Sequence, residues 1–246
     1  MDQNRDTIIA KLRESGLDDV LYQPGDDKYD TRVASYWSLS PRLHPWAFVQ
    51  PWDTDEVSKA VKAIVTTEYV KFALRGGDHT CYAGSNNIES GVTIDLSLLT
   101  KTSYNADTGI AHVLPGTRWT DVYDHEGREG LVGVGGFTSF IKNPVTRGGN
   151  MLGLENVTED SVLLVMDIMV PDKEQEIASF LFVQAAIKDM EDYTKSIDGA
   201  VAFRYLSYCN GTENIKKMKD AAAKYDRTGV FQTRMPEGFK ISKVKS

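Results

Sequence analysis

Arg75-Gly76-Gly77-Asp78-His79 places two glycines beside a titratable imidazole. Apolar alternation at Val70, Phe72 and Leu74 precedes it, and Val92, Ile94 and Leu96 repeat the pattern downstream, so the stretch 70–96 reads as strand, glycine loop, strand. Bare glycines let backbone N–H groups come close to a ligand, and successive N–H groups in such a turn make a concavity that suits an anion such as a phosphate. Taken alone, the glycines read first as a plain hairpin or crossover loop and second as a phosphate cradle. Tyr82, a few residues on, is a candidate wall or base for a ligand held there. His79-x-Cys81 lacks the further ligands a metal site needs, so no metal is expected.

A second glycine cluster, Gly130-Leu131-Val132-Gly133-Val134-Gly135-Gly136, contains no G-x-G-x-x-G leading into a helix. The residues after it include Pro144 and show no helical period, which leaves a loop that brings backbone near a ligand as the reading.

At 246 residues, with 41% hydrophobic and 26% charged side chains, the chain has ordinary globular composition and enough length for a sizeable core. Its formal charge of −7 works against phosphate-backbone binding, so nucleic acid is not an expected partner and basic runs such as 216–219 read as solvated faces. Cys81 and Cys209 form neither a disulfide framework nor a four-ligand zinc set. The charged residues Met1 to Asp6 lack a signal-type apolar core and nothing resembles a bilayer span, so a cytoplasmic protein without membrane contact is expected.

The elements that must position the loop follow from periodicity. Ile8, Ile9 and Leu12 predict a short helix over 6–15. From Tyr22 to Trp52, Pro24, Pro41, Pro45 and Pro51 argue for extended, irregular backbone, whose aromatics read as core packing ahead of a stacking wall for a planar ligand. Asp53 as N-cap, with Glu56 three residues on and Val57, Ala60, Val61, Ile64 and Val65 behind it, predicts an amphipathic helix on a sheet. A strand at 110–114, a helical turn through Trp119, Val122 and Tyr123, a buried strand at 161–170 and a helix over 174–193 follow. Apolar positions in that helix are Ile177, Phe180, Leu181, Ala185, Ile187 and Met190. A strand-like run at 201–208 precedes a helix over 213–225 with Ile215, Met218, Ala222 and Tyr225 on one face. The class is α+β or α/β around a mixed sheet.

Several motifs carry a resemblance. Arg75-Gly76-Gly77-Asp78-His79-Thr80, then Ala83-Gly84-Ser85-Asn86-Asn87, then Gly91 to Ser97, resemble the flavin-attachment region of FAD-linked oxidoreductases of the vanillyl-alcohol-oxidase and berberine-bridge-enzyme type, particularly the fungal members. Tyr36-Trp37-Ser38, Val49-Gln50-Pro51, Gly116 to Tyr123 and Val132 to Gly136 are similar in the same order, as are Arg147 to Leu154 and the run from Lys224 to Lys240.

The resemblance implies an α+β, PCMH-type FAD-binding domain. Residues 1–142 would be its N-terminal part, 143–200 a remnant of the substrate domain, and 201–246 a segment returning to the FAD domain. It implies FAD as cofactor, held by Arg75, Gly76, Gly77, Asp78, His79, Thr80, Gly84, Ser85, Gly135 and Gly136. His79 matches the residue that bonds to the flavin 8α-methyl. A second attachment point would need a Cys where Arg128-Glu129-Gly130 stands, so any attachment is through His79 alone. Tyr205 and Tyr208 match a tyrosine element that reaches the flavin, with Ser207 in place of its Asn, and together with Tyr82 they are the catalytic candidates. A tyrosine acts as base at neutral pH only beside a cationic neighbour.

The step from Gly136 to Arg147 passes over the middle of the family's chain, so a shortened member is expected. The implied function is oxidation of a small organic metabolite in fungal secondary metabolism, with hydride passing to flavin N5 and oxygen reoxidising the flavin. The alternative is a member that no longer binds FAD, acting as a redox-silent isomerase or cyclase or as a non-catalytic remnant.

Overall fold

The computed structural model describes residues 3–77, 79, 83–105, 107, 110–118, 120–121, 140–141, 161–162, 173–200, 215–237 and 240–243. Helix α1, Gln3–Glu14, buries Ile8, Ile9 and Leu12 on one face, as their spacing predicts. It packs against α3, Thr54–Val65. The Asp53 carboxylate caps α3 by accepting the Glu56 N–H at 2.9 Å, and Glu56 reaches back to accept the Trp52 N–H at 2.7 Å. Such a cap contributes about 1 kcal/mol.

The expected irregular backbone between Tyr22 and Trp52 is corrected by a helix, α2, over Asp27–Ala34. Pro24 and Pro41 lie outside its eight residues, so neither removes one of its hydrogen bonds. Gly25, at φ +103°, turns the chain ahead of it, and the Asp26 carboxylate accepts the Gln23 N–H at 2.6 Å. The aromatics divide as core first and surface second. Tyr22, Tyr29, Tyr36 and Phe48 are buried, with Tyr29 edge-on to Phe48 at 5.3 Å, while Trp37 and Trp52 are exposed.

Four strands form the central sheet: β1 (Leu21–Tyr22), β2 (Ala47–Val49), β3 (Phe72–Arg75) and β4 (Val92–Asp95), in the order β1-β2-β4-β3. β1 pairs antiparallel to β2, and β2, β4 and β3 run parallel, with Phe72 opposite Val92 and Arg75 opposite Asp95. The stretch around the glycines is therefore a crossover rather than a hairpin, since parallel neighbours cannot be joined by a tight turn. α1 and α3 cover one face, giving a core of Ile8, Leu12, Leu17, Ile64, Phe72, Val92 and Ile94, all essentially inaccessible to solvent.

Beyond the sheet, β5 (Thr102–Asn105) pairs antiparallel with β6 (Ile110–Val113). β6 is the strand expected at 110–114, whereas β5, a polar run, carries no strand signal. Of the strand expected at 161–170, only β8, Ser161–Val162, is described; it pairs with β7, Phe140–Ile141. The run 201–208 and Trp119, Val122 and Tyr123 lie outside the described residues.

Two compact units emerge, residues 1–133 with 222–246, and residues 134–221. In the second, α4 spans Lys173–Ser196. This is the helix expected over 174–193, and on it Leu181 and Ile187 are 61% and 38% exposed. α5, Ile215–Tyr225, buries Met218 but leaves Tyr225 exposed. In the first unit a short helix, α6 (Val230–Thr233), follows. The Arg234 carbonyl accepts the Phe72 N–H at 3.0 Å, its guanidinium donates to the carbonyls of Thr67 and Val70, and Phe231 meets Phe72 edge-on at 5.8 Å. The α+β class expected from sequence is the class observed.

Burial holds the Tyr29 hydroxyl as a neutral donor to the Pro45 carbonyl, 2.8 Å away, and pushes its pKa up to about 12, with Glu89 and Asp30 adding to the rise. An unfolded tyrosine loses its proton near pH 10 while Tyr29 keeps it to about 12, so stability is full below pH 10 and falls as pH rises through that window. Urea titrations of Tyr29→Phe and the native chain at pH 8 to 11.5 are expected to give a shallower alkaline decline in the variant. Parallel curves would rule out Tyr29 as its source.

Candidate functional site

In a parallel sheet the carboxyl ends of the strands open onto the loops that bind ligands. Here β2, β4 and β3 end side by side, and three loops meet at that edge: Arg75 to Gly77, Leu96 to Leu99, and Leu114 to Thr117. The Leu96 N–H donates to the Arg75 carbonyl at 2.8 Å, and the Gly116 N–H to the Leu99 carbonyl at 2.9 Å. Gln50, just past β2, donates its amide to Ser97 Oγ at 2.9 Å.

Glycine is needed here for close approach. A Cβ on Gly116 would lie 2.3 Å from the Leu96 carbonyl oxygen, and one on Gly76 would lie 3.0 Å from the Pro115 oxygen. Gly77 differs, since a Cβ there would meet nothing nearer than the Thr117 oxygen at 3.9 Å. Among the described residues, backbone atoms fill the space over Gly76 and Gly116, whereas the space over Gly77 is open. The Thr117 carbonyl oxygen is the atom near Gly77, and the Oγ1 of the same residue is buried without a hydrogen-bond partner, which a buried hydroxyl rarely tolerates. A phosphate oxygen would satisfy it, so the residues present fit a phosphate-bearing cofactor at this edge.

Beneath the loop lies a buried charge cluster. Arg75 is 1% exposed, and its guanidinium sits 3.8 Å over the Tyr36 ring, 2.8 Å from Ser35 Oγ and 3.5 Å from Asp95 Oδ2. Arg32, on α2, brings its Nε 2.9 Å from the same Asp95 oxygen without the alignment of a hydrogen bond, so that attraction is Coulombic. Asp95 Oδ1 accepts the Ser97 N–H at 3.0 Å. The Arg75 side chain thus props the base of the loop from inside the protein. Burial holds the Tyr36 phenol far above the ordinary tyrosine range, with Arg75 pulling it down and Asp95 pushing it up, so it serves as a donor and not as a base.

His79 is exposed. Its carbonyl accepts the Asn86 side-chain amide at 3.1 Å, and the Asn86 carbonyl accepts the Tyr36 hydroxyl at 3.0 Å. Asn87, fully buried, donates to the carbonyls of Pro41 and Leu43 and accepts from the Ile88 N–H and Thr93 Oγ1. Gly84 takes φ +81°, and a Cβ on it would lie 2.6 Å from Glu237 Cγ. Ser85 is buried.

Of the residues expected from sequence, Arg75, Gly76, Gly77, His79, Gly84 and Ser85 are placed on this one crossover. Asp78, Thr80, Tyr82, Gly135, Gly136, Tyr205 and Tyr208 lie outside the described residues. Sequence reasoning left Gly116, Thr117, Gln50 and Ser97 out of the site. The Pro115-Gly116 turn directly after a strand was the signal that could have found the first two. An open hollow of about 500 Å³, lined by Glu68, Tyr69, Lys71, Thr233 and Arg234, lies at the opposite, N-terminal end of β3 and includes none of these residues. Among the described residues no cluster of His, Cys, Asp or Glu could hold a metal, and no helix is long and apolar enough to cross a membrane.

Residues 45–154 match the FAD binding domain family, a span that takes in the whole crossover, the Gly116 turn and the second glycine cluster. This part of the chain is similar to that family. Within the matched segment fall β2, β4 and β3 and Gly77.

Relatives are fungal. The chain is 36% identical over 130 residues to the FAD-dependent monooxygenase sdcF of Emericella nidulans, a match covering 49% of this chain and 27% of that one. It is 34% identical over 140 residues to the FAD-dependent monooxygenase drtC of Aspergillus calidoustus, covering 52% and 27%. With the bifunctional solanapyrone synthase of Alternaria solani it shares 29% identity over 188 residues, covering 72% and 36%. Among solved structures, the carbohydrate oxidase from Microdochium nivale is 28% identical, with a TM-score of 0.43 over 49% of this chain and 26% of that one. The match to sdcF thus spans about a quarter of that relative's length.

Proposed function

We propose that this chain holds FAD at the carboxyl edge of its parallel strands and works as an FAD-linked oxidoreductase on a small organic metabolite of fungal secondary metabolism. The observation that carries the reading is the pairing of the open space over Gly77 with the unpartnered Thr117 hydroxyl inside the matched segment. Backbone N–H groups around Gly76 and Gly77 would hold the pyrophosphate, supported by Asp78, Thr80, Gly84, Ser85, Gly135 and Gly136. Arg75 would act from below, keeping the loop in place through Tyr36 and Asp95.

FAD, when bound, supplies a hydride acceptor at N5 that molecular oxygen regenerates. The exposed His79 imidazole offers the nucleophile for an 8α attachment. Tyr205, Tyr208 and Tyr82 are the proposed groups that take the proton from a substrate hydroxyl or amine, given a cationic neighbour. The division into 1–142, 143–200 and 201–246 and a cytoplasmic location go with this reading.

The test is colour. The purified full chain, supplied with FAD, is expected to show flavin absorbance and to keep it in the acid-precipitated pellet. In His79→Ala the flavin moves to the supernatant while binding before acid treatment persists. A colourless protein that takes up no FAD would sink the oxidoreductase reading in favour of the redox-silent alternative.

A further inference from the structure

The aromatic and amide residues flanking the crossover form a connected path to His79. Tyr36 is 2% exposed and Asn86 4%, so the hydrogen bond between them is buried, while the one from Asn86 to the exposed His79 is part-buried. The Tyr36 hydroxyl donates to the Asn86 carbonyl at 3.0 Å, and the Asn86 side-chain amide turns back to donate to the His79 carbonyl at 3.1 Å. Tyr36 itself is fixed at two further points. Its ring lies under the Arg75 guanidinium at 3.8 Å, and its carbonyl accepts two hydrogen bonds from Arg42, at 2.9 and 2.8 Å. A residue held at its hydroxyl, its ring and its backbone carbonyl has little freedom left to lose, so its hydroxyl presents one fixed point to the loop.

We infer that Tyr36 and Asn86 are positioning residues for His79: the buried pair sets where the exposed imidazole stands by holding its backbone, and so governs covalent attachment without touching the cofactor. This rests on the proposed flavin reading for its chemistry, but the geometric half stands in the protein alone. A phenol to carbonyl to amide to carbonyl path transmits position because its first link is buried and its second starts from a side chain on a residue only 4% exposed. Asn87, next in sequence, ties its own segment to Pro41, Leu43 and Thr93.

The experiment compares the full-length native chain with Tyr36→Phe, which keeps the ring under Arg75 and removes only the donor, and with Asn86→Ala. Amide hydrogen exchange without FAD is expected to quicken roughly 3- to 10-fold over residues 79–86 in both variants, the size of one lost hydrogen bond. Exchange in β3 and β4 is expected to stay unchanged in Tyr36→Phe. With FAD added, total flavin bound is expected to match the native chain while the acid-stable fraction falls several-fold, a split that simple destabilisation would not give. Unchanged exchange over 79–86 in Tyr36→Phe overturns the inference. So does faster exchange with a native acid-stable fraction. If the native chain binds no flavin, the attachment chemistry is lost with the proposed function, and the exchange result alone decides whether Tyr36 and Asn86 position His79.

Discussion

Asp95→Ala is expected to unfold the sheet-bearing unit under mild conditions. Asp95 is fully buried at the end of β4, and its Oδ2 is the carboxylate oxygen facing both Arg75, itself 1% exposed, and the partly exposed Arg32. Removing it leaves two guanidinium groups facing a site with no negative charge, and also strands the Ser97 N–H. Breaking a buried pair from one side costs about 3–5 kcal/mol, a large share of a typical domain's stability. The four tryptophans, Trp37, Trp46, Trp52 and Trp119, all lie in residues 1–133, so their fluorescence reports this unit specifically. An unfolding free energy by that signal within about 0.5 kcal/mol of the native value would show that the cluster is not stabilising. Asp95→Asn is expected to fall between the two, because it restores the acceptor for Ser97 but not the charge.

Gly116→Ala and Gly77→Ala are expected to separate holding the site together from leaving room in it. At Gly116 the new Cβ would meet the Leu96 oxygen at 2.3 Å and the Ser97 backbone at 2.8 Å, atoms that cannot swing aside. Relief requires moving the Pro115 to Thr117 turn off the carboxyl edge, at about 1–3 kcal/mol of stability. A loss of that size carried into binding weakens FAD by about 5- to 150-fold. At Gly77 the Cβ would meet nothing within 3.9 Å, so stability is expected to stay within about 0.5 kcal/mol, while a cofactor approaching that backbone loses its space. Fluorescence titration with FAD beside urea unfolding reads both quantities. Native FAD affinity in Gly77→Ala would mean that no ligand approaches there.

The sequence made the helices legible where amphipathic spacing and a cap coincide, at Ile8 to Leu12 and at Asp53 to Val65, because both signals are local. α2 was hidden by the prolines around it, which mark its limits yet read as breakers when counted together. The parallel pairing of β3 with β4 could not be read at all, since alternation of apolar residues has the same period in either direction. At the site, the glycines and His79 were recognisable by type. The resemblance puts Arg75 among the cofactor-holding residues, and the structure shows an interior role for its guanidinium that sequence hides, because Ser35 and Arg32 reach it only once α2 has folded over the sheet. Likewise Tyr36, Asn86 and Asp95 lie in motifs whose pattern is visible, while their work of bracing the loop depends on contacts 50 and 20 residues away in sequence.

The Arg234 carbonyl that accepts from Phe72 belongs to a residue that leaves the ribosome long after β3 does. Its guanidinium reaches Val70 across a separation of 164 residues, and all of residues 134–221 must be made in between. At about 5–20 residues per second the outer strand waits roughly 8 to 30 seconds for its partner. For that interval Phe72 presents an unsatisfied N–H and an uncovered ring on a growing chain, a template for pairing with neighbouring chains on the same message. Slow codons between β3 and α6 would therefore lower the yield of folded protein without altering a single contact in it.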